Sequence, residues 1–180
     1  MRAGRADPVQ QLRLVLMSHD ASGLHAYHAW ANNRVCAHLA TLPAETSRTE
    51  VRSVFPTIDA VLAHIYVIDR GWLAMMGGTP FAEAAAASLP LIEETRGMRL
   101  PELTKRMAAQ AEEFRAFLDA RPDVDAPYAI GALEMTIADM MQHVVVHGSY
   151  HRGNITAMLH QLEYRGVPTD FGFYLYTLAA

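Results

Sequence analysis

Gln142-His143-Val144-Val145-Val146-His147-Gly148-Ser149-Tyr150-His151-Arg152-Gly153 sets three histidines at four-residue steps inside a stretch that otherwise reads as one long helix. Four residues turn an α-helix by about 400°, so successive histidines drift by only about 40° and form one narrow stripe. Their Cβ atoms stand about 5–6 Å apart, close enough for two imidazoles to share one divalent ion. A third ligand then has to come from another helix. Burying imidazoles costs free energy unless each ring finds a partner, and an ion satisfies several at once.

Helical patterning continues outward from this stretch. Thr136-x-x-Asp139 resembles a capping box and opens the histidine helix, which runs to about Tyr164 before Arg165-Gly166-Val167-Pro168. Asp20 is a plausible N-cap for a first helix through Leu24, Tyr27, Ala31, Val35, Leu39 and Leu42, closed by Pro43. Tyr27 and Trp30 read as core residues; His28 faces either a site or water. Thr57 caps a second helix with an apolar stripe from Ile58 through Leu62 and Ile65 to Met75, ended by Gly77-Gly78-Thr79-Pro80. His64 borders that stripe. A third helix begins near Leu100-Pro101, buries Leu103, Met107, Phe114 and Leu118, and stops at Arg121-Pro122-Asp123.

Between these lie less regular pieces. Residues 81–98 are Ala-rich but carry Pro90 and Gly97, and read as a loop with short helical pieces. Residues 125–135 read as a loop or a small hairpin, and residues 1–19 as a poorly patterned lead-in. The tail holds Phe171, Phe173, Tyr174 and Tyr176, enough aromatic surface to pack onto the body or a partner. Four helices without a convincing strand run predict an all-α four-helix bundle.

Composition narrows the classes of function. The 180 residues fit one domain; 51% are hydrophobic and 19% charged, as in an ordinary soluble globular protein. A net charge of −4 without a basic run argues against nucleic-acid binding. Cys36 is the single cysteine, so neither a disulfide framework nor a Cys-rich zinc site is available. The apolar run Leu14 to Met17 is too short for a signal-peptide core, and nothing approaches the roughly 20 apolar residues of a membrane span. The expectation is a soluble cytoplasmic protein.

Three neutral imidazoles leave coordination positions open for water or substrate, the catalytic type of metal site. His64 is the best candidate on a facing helix. The zinc-hydrolase motif H-E-x-x-H is not met, because Gly148 follows His147 where that motif has its glutamate base.

His147-Gly148-Ser149-Tyr150-His151-Arg152-Gly153-Asn154-Ile155, with Leu159 and Gly166-x-Pro168, resembles the C-terminal signature of the DinB (damage-inducible) family. Tyr27-x-x-Trp30-Ala31-Asn32 resembles its first-helix signature. Phe55-x-x-Ile58-x-x-x-Leu62-x-His64-Ile65, with Asp69 and Trp72, resembles its second. The resemblance spans about residues 20–175 and implies an up-down-down-up four-helix bundle. It implies one divalent metal, zinc or nickel foremost, held by His64, His147 and His151. His143 then lines the pocket or supports the ligands, as does His28. Asp69 and Asp139 become candidate acceptors for ligand N–H groups, and Arg152 and Gly153 read as structural, Gly153 letting a neighbouring helix approach. The resemblance also implies a homodimer.

Its functional expectation is a metal-dependent enzyme of stress or detoxification chemistry, a thiol-dependent S-transferase acting with a low-molecular-weight thiol on a small-molecule substrate. The alternatives are a hydrolase using metal-bound water, and a non-catalytic, stress-induced binding protein stabilised by its ion.

Overall fold

The structure, a computed structural model, describes residues 21–121, 123–125, 127–130 and 133–179. The lead-in, the Asp20 cap, Pro122 and Gly131 lie outside them. The chain forms α1 (Ala21–Ala40), a 3-10 turn (Thr46–Arg48), α2 (Ile58–Met76), α3 (Phe81–Thr95) and α4 (Leu100–Asp119). An antiparallel hairpin of β1 (Pro127–Ile130) and β2 (Leu133–Thr136) follows, then α5 (Ile137–Gln161) and α6 (Phe171–Ala179).

Local chemistry sets the helix ends. Thr57 is extended, and its Oγ1 accepts from the Ala60 N–H at 3.2 Å, satisfying one of the free donors at the start of α2. Thr136 and Asp139 form the reciprocal capping box of α5: Asp139 N–H donates to Thr136 Oγ1, and Thr136 N–H donates to Asp139 Oδ2. α5 ends earlier than the Gly166-Pro168 punctuation implies. Glu163 takes the left-handed conformation (φ 66°), while its N–H donates to His160 O and Tyr164 N–H donates to Leu159 O. That pair of bonds is a Schellman closure, with a non-glycine residue in the position that usually favours glycine.

Residues 81–95 differ from expectation: they form a continuous helix with Pro90 inside it. Ala82 and Ala84 to Ala87 supply high helix propensity. Burial of Ala84 ties α3 to the body, whereas Pro90 lies on the exposed side. α3 turns back along α2 through the short 77–80 connection, so it returns the chain to the end where α2 began. α4 therefore starts from that end and runs parallel to α2.

The core consists of two apolar clusters stacked along the bundle. One joins Val35 and Leu39 of α1, Ile58 and Leu62 of α2, Leu103 of α4 and Met158 and Leu159 of α5. The other joins Ala21 and Tyr27, Met76, Phe114 and Leu118, and Ile137 to Val144 from the opposite ends of the same helices. The bundle is thus up-down-down-up. α1 and α2 each pack on both α4 and α5.

Between the two clusters lies a polar waist. His28, Asn32, Asp69, Gln110, His151 and Arg152 are all buried at mid-height. α6 covers one side of α1: Tyr174 packs against Tyr27 and Trp30 at ring-centroid distances of 5.6 and 5.2 Å, and Tyr27 Oη donates to Thr169 O at 2.8 Å. The aromatic tail therefore folds back onto the body. No helix among the described residues is long and apolar enough to cross a membrane.

Candidate metal centre

His64 comes from the middle of α2, and His147 and His151 from one face of α5. Each offers one ring nitrogen, and the three nitrogens lie within 4.8 Å of one another. The Nε2 atoms of His64 and His147 are 3.1 Å apart. Two nitrogens bound to one tetrahedral zinc at 2.0–2.1 Å would stand about 3.3 Å apart, so the His64–His147 spacing fits a shared ion, with the third nitrogen close enough to join them after a small side-chain adjustment.

The electrostatics fit as well. Burial pushes the His147 pKa down to about 3, helped by the neighbouring charges of His151, His64 and His143. Burial also lowers His64 and His151, with Asp69 opposing it in both. The rings are therefore neutral near pH 7, with lone pairs available as ligands. His151 is buried, while His64 and His147 are half-buried, leaving the cluster a path to solvent. Phe55 meets His64 at a tilt (4.8 Å) and His151 edge-on (5.6 Å), and Tyr150 meets His151 edge-on at 5.0 Å. These two rings, which fall within the sequence signatures without a role there, border the cluster.

The remaining predicted residues divide. His143 is exposed, lies 5.9 Å from His147 in a stacked arrangement, and rests against Trp72 at 4.3 Å, so it extends the stripe towards solvent. His28 is buried and belongs to a separate network: its Nε2 pairs with Asp69 Oδ2 at 2.8 Å and with Asn32 Nδ2 at 3.0 Å. Asp69 therefore spends that oxygen on His28, not on a cluster histidine. Asp139 is spent on the helix cap, one helical turn before His143. Neither carboxylate bonds to the three-histidine cluster. The polar group nearest the free side of His151 is the Asn154 amide, 3.5 Å from Nδ1. His147 Nδ1 is buried without a partner among the described residues.

Gly153 stands differently from the sequence expectation, whereas Arg152 is structural as expected. Gly153 has open space around it and permits no close approach; the helix contact falls at Gly148. A Cβ there would stand 2.8 Å from both His28 Nδ1 and Arg152 Nη1, and closer still to His28 Cε1. Arg152 is 2% exposed and donates to Asn32 Oδ1 at 2.8 Å and Ser149 Oγ at 2.9 Å, with its guanidinium over the Tyr27 ring. Gly148 thus supplies the room in which α1 places His28 and α5 places Arg152.

A four-helix bundle with an open three-histidine cluster on two facing helices defines the class. Within it, the DinB family model matches residues 17–178. The chain is also 38% identical over 165 residues to Protein DinB of Bacillus subtilis (strain 168), covering 89% of this chain and 96% of that relative. The protein belongs to the DinB family.

Proposed function

We propose that the protein is a metal-dependent, thiol-utilising S-transferase of stress or detoxification chemistry, with His64, His147 and His151 holding a divalent ion. The observation that carries this reading is a cluster of three neutral, solvent-reachable imidazoles with no carboxylate bonded to it. A bound ion would lower the pKa of a low-molecular-weight thiol enough to populate its thiolate at neutral pH. The thiolate sulfur bonds to the electrophilic carbon of a small molecule. The leaving group departs with its electron pair, and the thiol proton passes to water. Phe55 lies beside His64 and His151, and His143 with Trp72 forms the outer rim.

A hydrolase on the same residues needs a base beside the cluster, and no carboxylate bonds to the cluster among the described residues. The exposed apolar residues of α6, Leu175, Tyr176 and Leu178 among them, support a homodimer as the working form.

Elemental analysis of the purified protein, paired with a thiol assay, tests the proposal. It calls for about one zinc or nickel per chain, lost in His64→Ala and His147→Ala. It also calls for thiol-dependent consumption of an activated aryl chloride that His147→Ala abolishes. Unchanged turnover in His147→Ala overturns the mechanism. Turnover without thiol favours the hydrolase. An ion that raises the melting temperature without any turnover favours a binding protein.

A further inference from the structure

A groove of about 600 Å³ runs between α2 and α3, within the size range of small-molecule sites. Ala63, Val67 and Ile68 of α2 and Ile92 of α3 make its walls apolar, and His64 and Phe55 line one side of it. The groove therefore borders the candidate metal centre.

Its end near the start of α2 holds an unusual group. Asp59 lines the groove and is 7% exposed, yet neither carboxylate oxygen has a hydrogen-bond partner among the described residues. An uncompensated buried carboxylate is costly. Burial raises its pKa, although Ser47, Arg48 and Arg99 nearby favour the charged form. The two guanidiniums that line the groove have other carboxylates to meet: Arg48 lies 3.5 Å from Glu45, and Arg96 lies 2.7 Å from Glu93. Arg48 is 44% exposed, and its pairing with Glu45 is long and weak, so it is not held in place by that pair. What the groove leaves unmatched is an acceptor for a cation with several N–H donors.

We propose that this groove binds a small, mostly apolar molecule carrying a primary ammonium group, with the ammonium on Asp59 and the apolar body along α2 past His64. Nine residues separate Asp59 from Ile68, about 14 Å of helix, which sets the length of body the groove accommodates. The ammonium contact and the apolar walls come from side chains other than the three histidines, and His64 only borders the groove, so the proposal is testable separately from the metal reading.

The test is a methyl-resolved NMR titration of the full chain with n-octylammonium, n-octanoate and n-octanol, repeated in Asp59→Asn and Ala63→Trp. Saturable shifts of the Ala63, Val67 and Ile68 methyls with n-octylammonium are expected, with n-octanoate at least about tenfold weaker. Asp59→Asn should erase the preference for the amine over the alcohol, and Ala63→Trp should block all three. Equal binding of the carboxylate, a preference that survives in Asp59→Asn, or shifts confined to the exposed face of α6 would each overturn the proposal. Running the series with a chelator present, and in His64→Ala, separates the outcomes. Amine binding that persists there shows that the groove works without the ion. Wild-type protein that binds the amine but no metal sinks only the metal reading, and wild-type protein that binds metal but shows no amine preference sinks only this one.

Discussion

Gly148→Ala should destabilise the protein even though alanine is the better helix former. Taken alone, the exchange within α5 would gain about 1 kcal/mol of helix propensity. The new methyl, however, would lie 2.8 Å from His28 Nδ1 and Arg152 Nη1. Neither neighbour can yield cheaply: His28 is 4% and Arg152 2% exposed, and His28 is bonded to both Asp69 and Asn32. Overpacking of this kind costs about 1–3 kcal/mol. Displacing the ring also weakens the 2.8 Å His28–Asp69 bond, worth about 1.5–3 kcal/mol where a charged partner is involved. The net loss is about 2–4 kcal/mol, a fall in melting temperature of about 5–15 °C for a chain of this size. Circular dichroism melts and urea titrations, with chelator present so that no ion contributes, measure it directly. In the double variant with His28→Ala, the methyl gains the space the ring vacates, so the two losses should fall short of additivity by at least about 1 kcal/mol. A Gly148→Ala protein as stable as wild type would refute the argument that this glycine exists to seat His28.

Three other perturbations test separate parts of the structure. Zinc or nickel at one hundred times its dissociation constant should stabilise the folded state by about 2.7 kcal/mol, and calorimetry should show that gain vanish in His147→Ala. His25 is buried against Phe114, and burial together with the charge of His28 pushes its pKa from 6.5 to about 4. The unfolded chain takes up that proton below pH 6.5 while the folded one does not, so the contribution is complete above pH 6.5. It falls by up to about 3 kcal/mol as the pH drops towards 4; denaturant titrations of His25→Phe should show a correspondingly flatter acid limb. Pro90→Ala restores an N–H within α3 and should raise the melting temperature by about 4 °C or more, after allowing for the greater freedom of the unfolded chain.

Much of this arrangement was legible because it depends on residues close in sequence. The histidine stripe, the Thr136–Asp139 cap, the Thr57 cap and the Gly77-Gly78 stop follow from helical spacing and side-chain chemistry within one or two turns. What spacing cannot supply is the partner across the bundle. His28 reads equally well as facing a site or solvent until Asp69, 41 residues away, is placed 2.8 Å from it. Asp139 admits two readings from sequence, cap or support for a ligand, and the short-range bond claims it. Pro90 argues against a helix locally, but five nearby alanines and packing on α2 outweigh one missing donor on an exposed face. Gly148 offered a usable clue: a glycine in mid-helix carries a cost, and the return on that cost is the close approach of α1. Gly153 carries the same cost, and the structure gives no contact that accounts for it.

Arg152 shows how the waist couples the core to the candidate centre, and whether charge or shape does the coupling is open to direct measurement. It follows His151 in sequence but points towards α1, where its guanidinium is buried. Burial lowers its pKa, with Tyr27 and the charge of Asp69 opposing that effect. No carboxylate is bonded to it among the described residues; its short bonds go to the Asn32 and Ser149 oxygens, a longer one of 3.4 Å reaches His28 Nδ1, and its guanidinium lies over Tyr27. A planar fork can serve two oxygens and a ring face together, whereas an ammonium offers a compact charge on a flexible stem. Arg152→Met removes both short bonds, each worth about 1.5–3 kcal/mol with a charged donor, while keeping most of the packing. Arg152→Lys keeps the buried charge and its desolvation cost but cannot reproduce the fork. Both variants should therefore melt well below wild type, with lysine recovering less than about a third of the methionine loss. If Arg152→Lys melts with wild type, a positive charge alone suffices at this position, and the planar fork is not what joins α5 to Asn32 of α1.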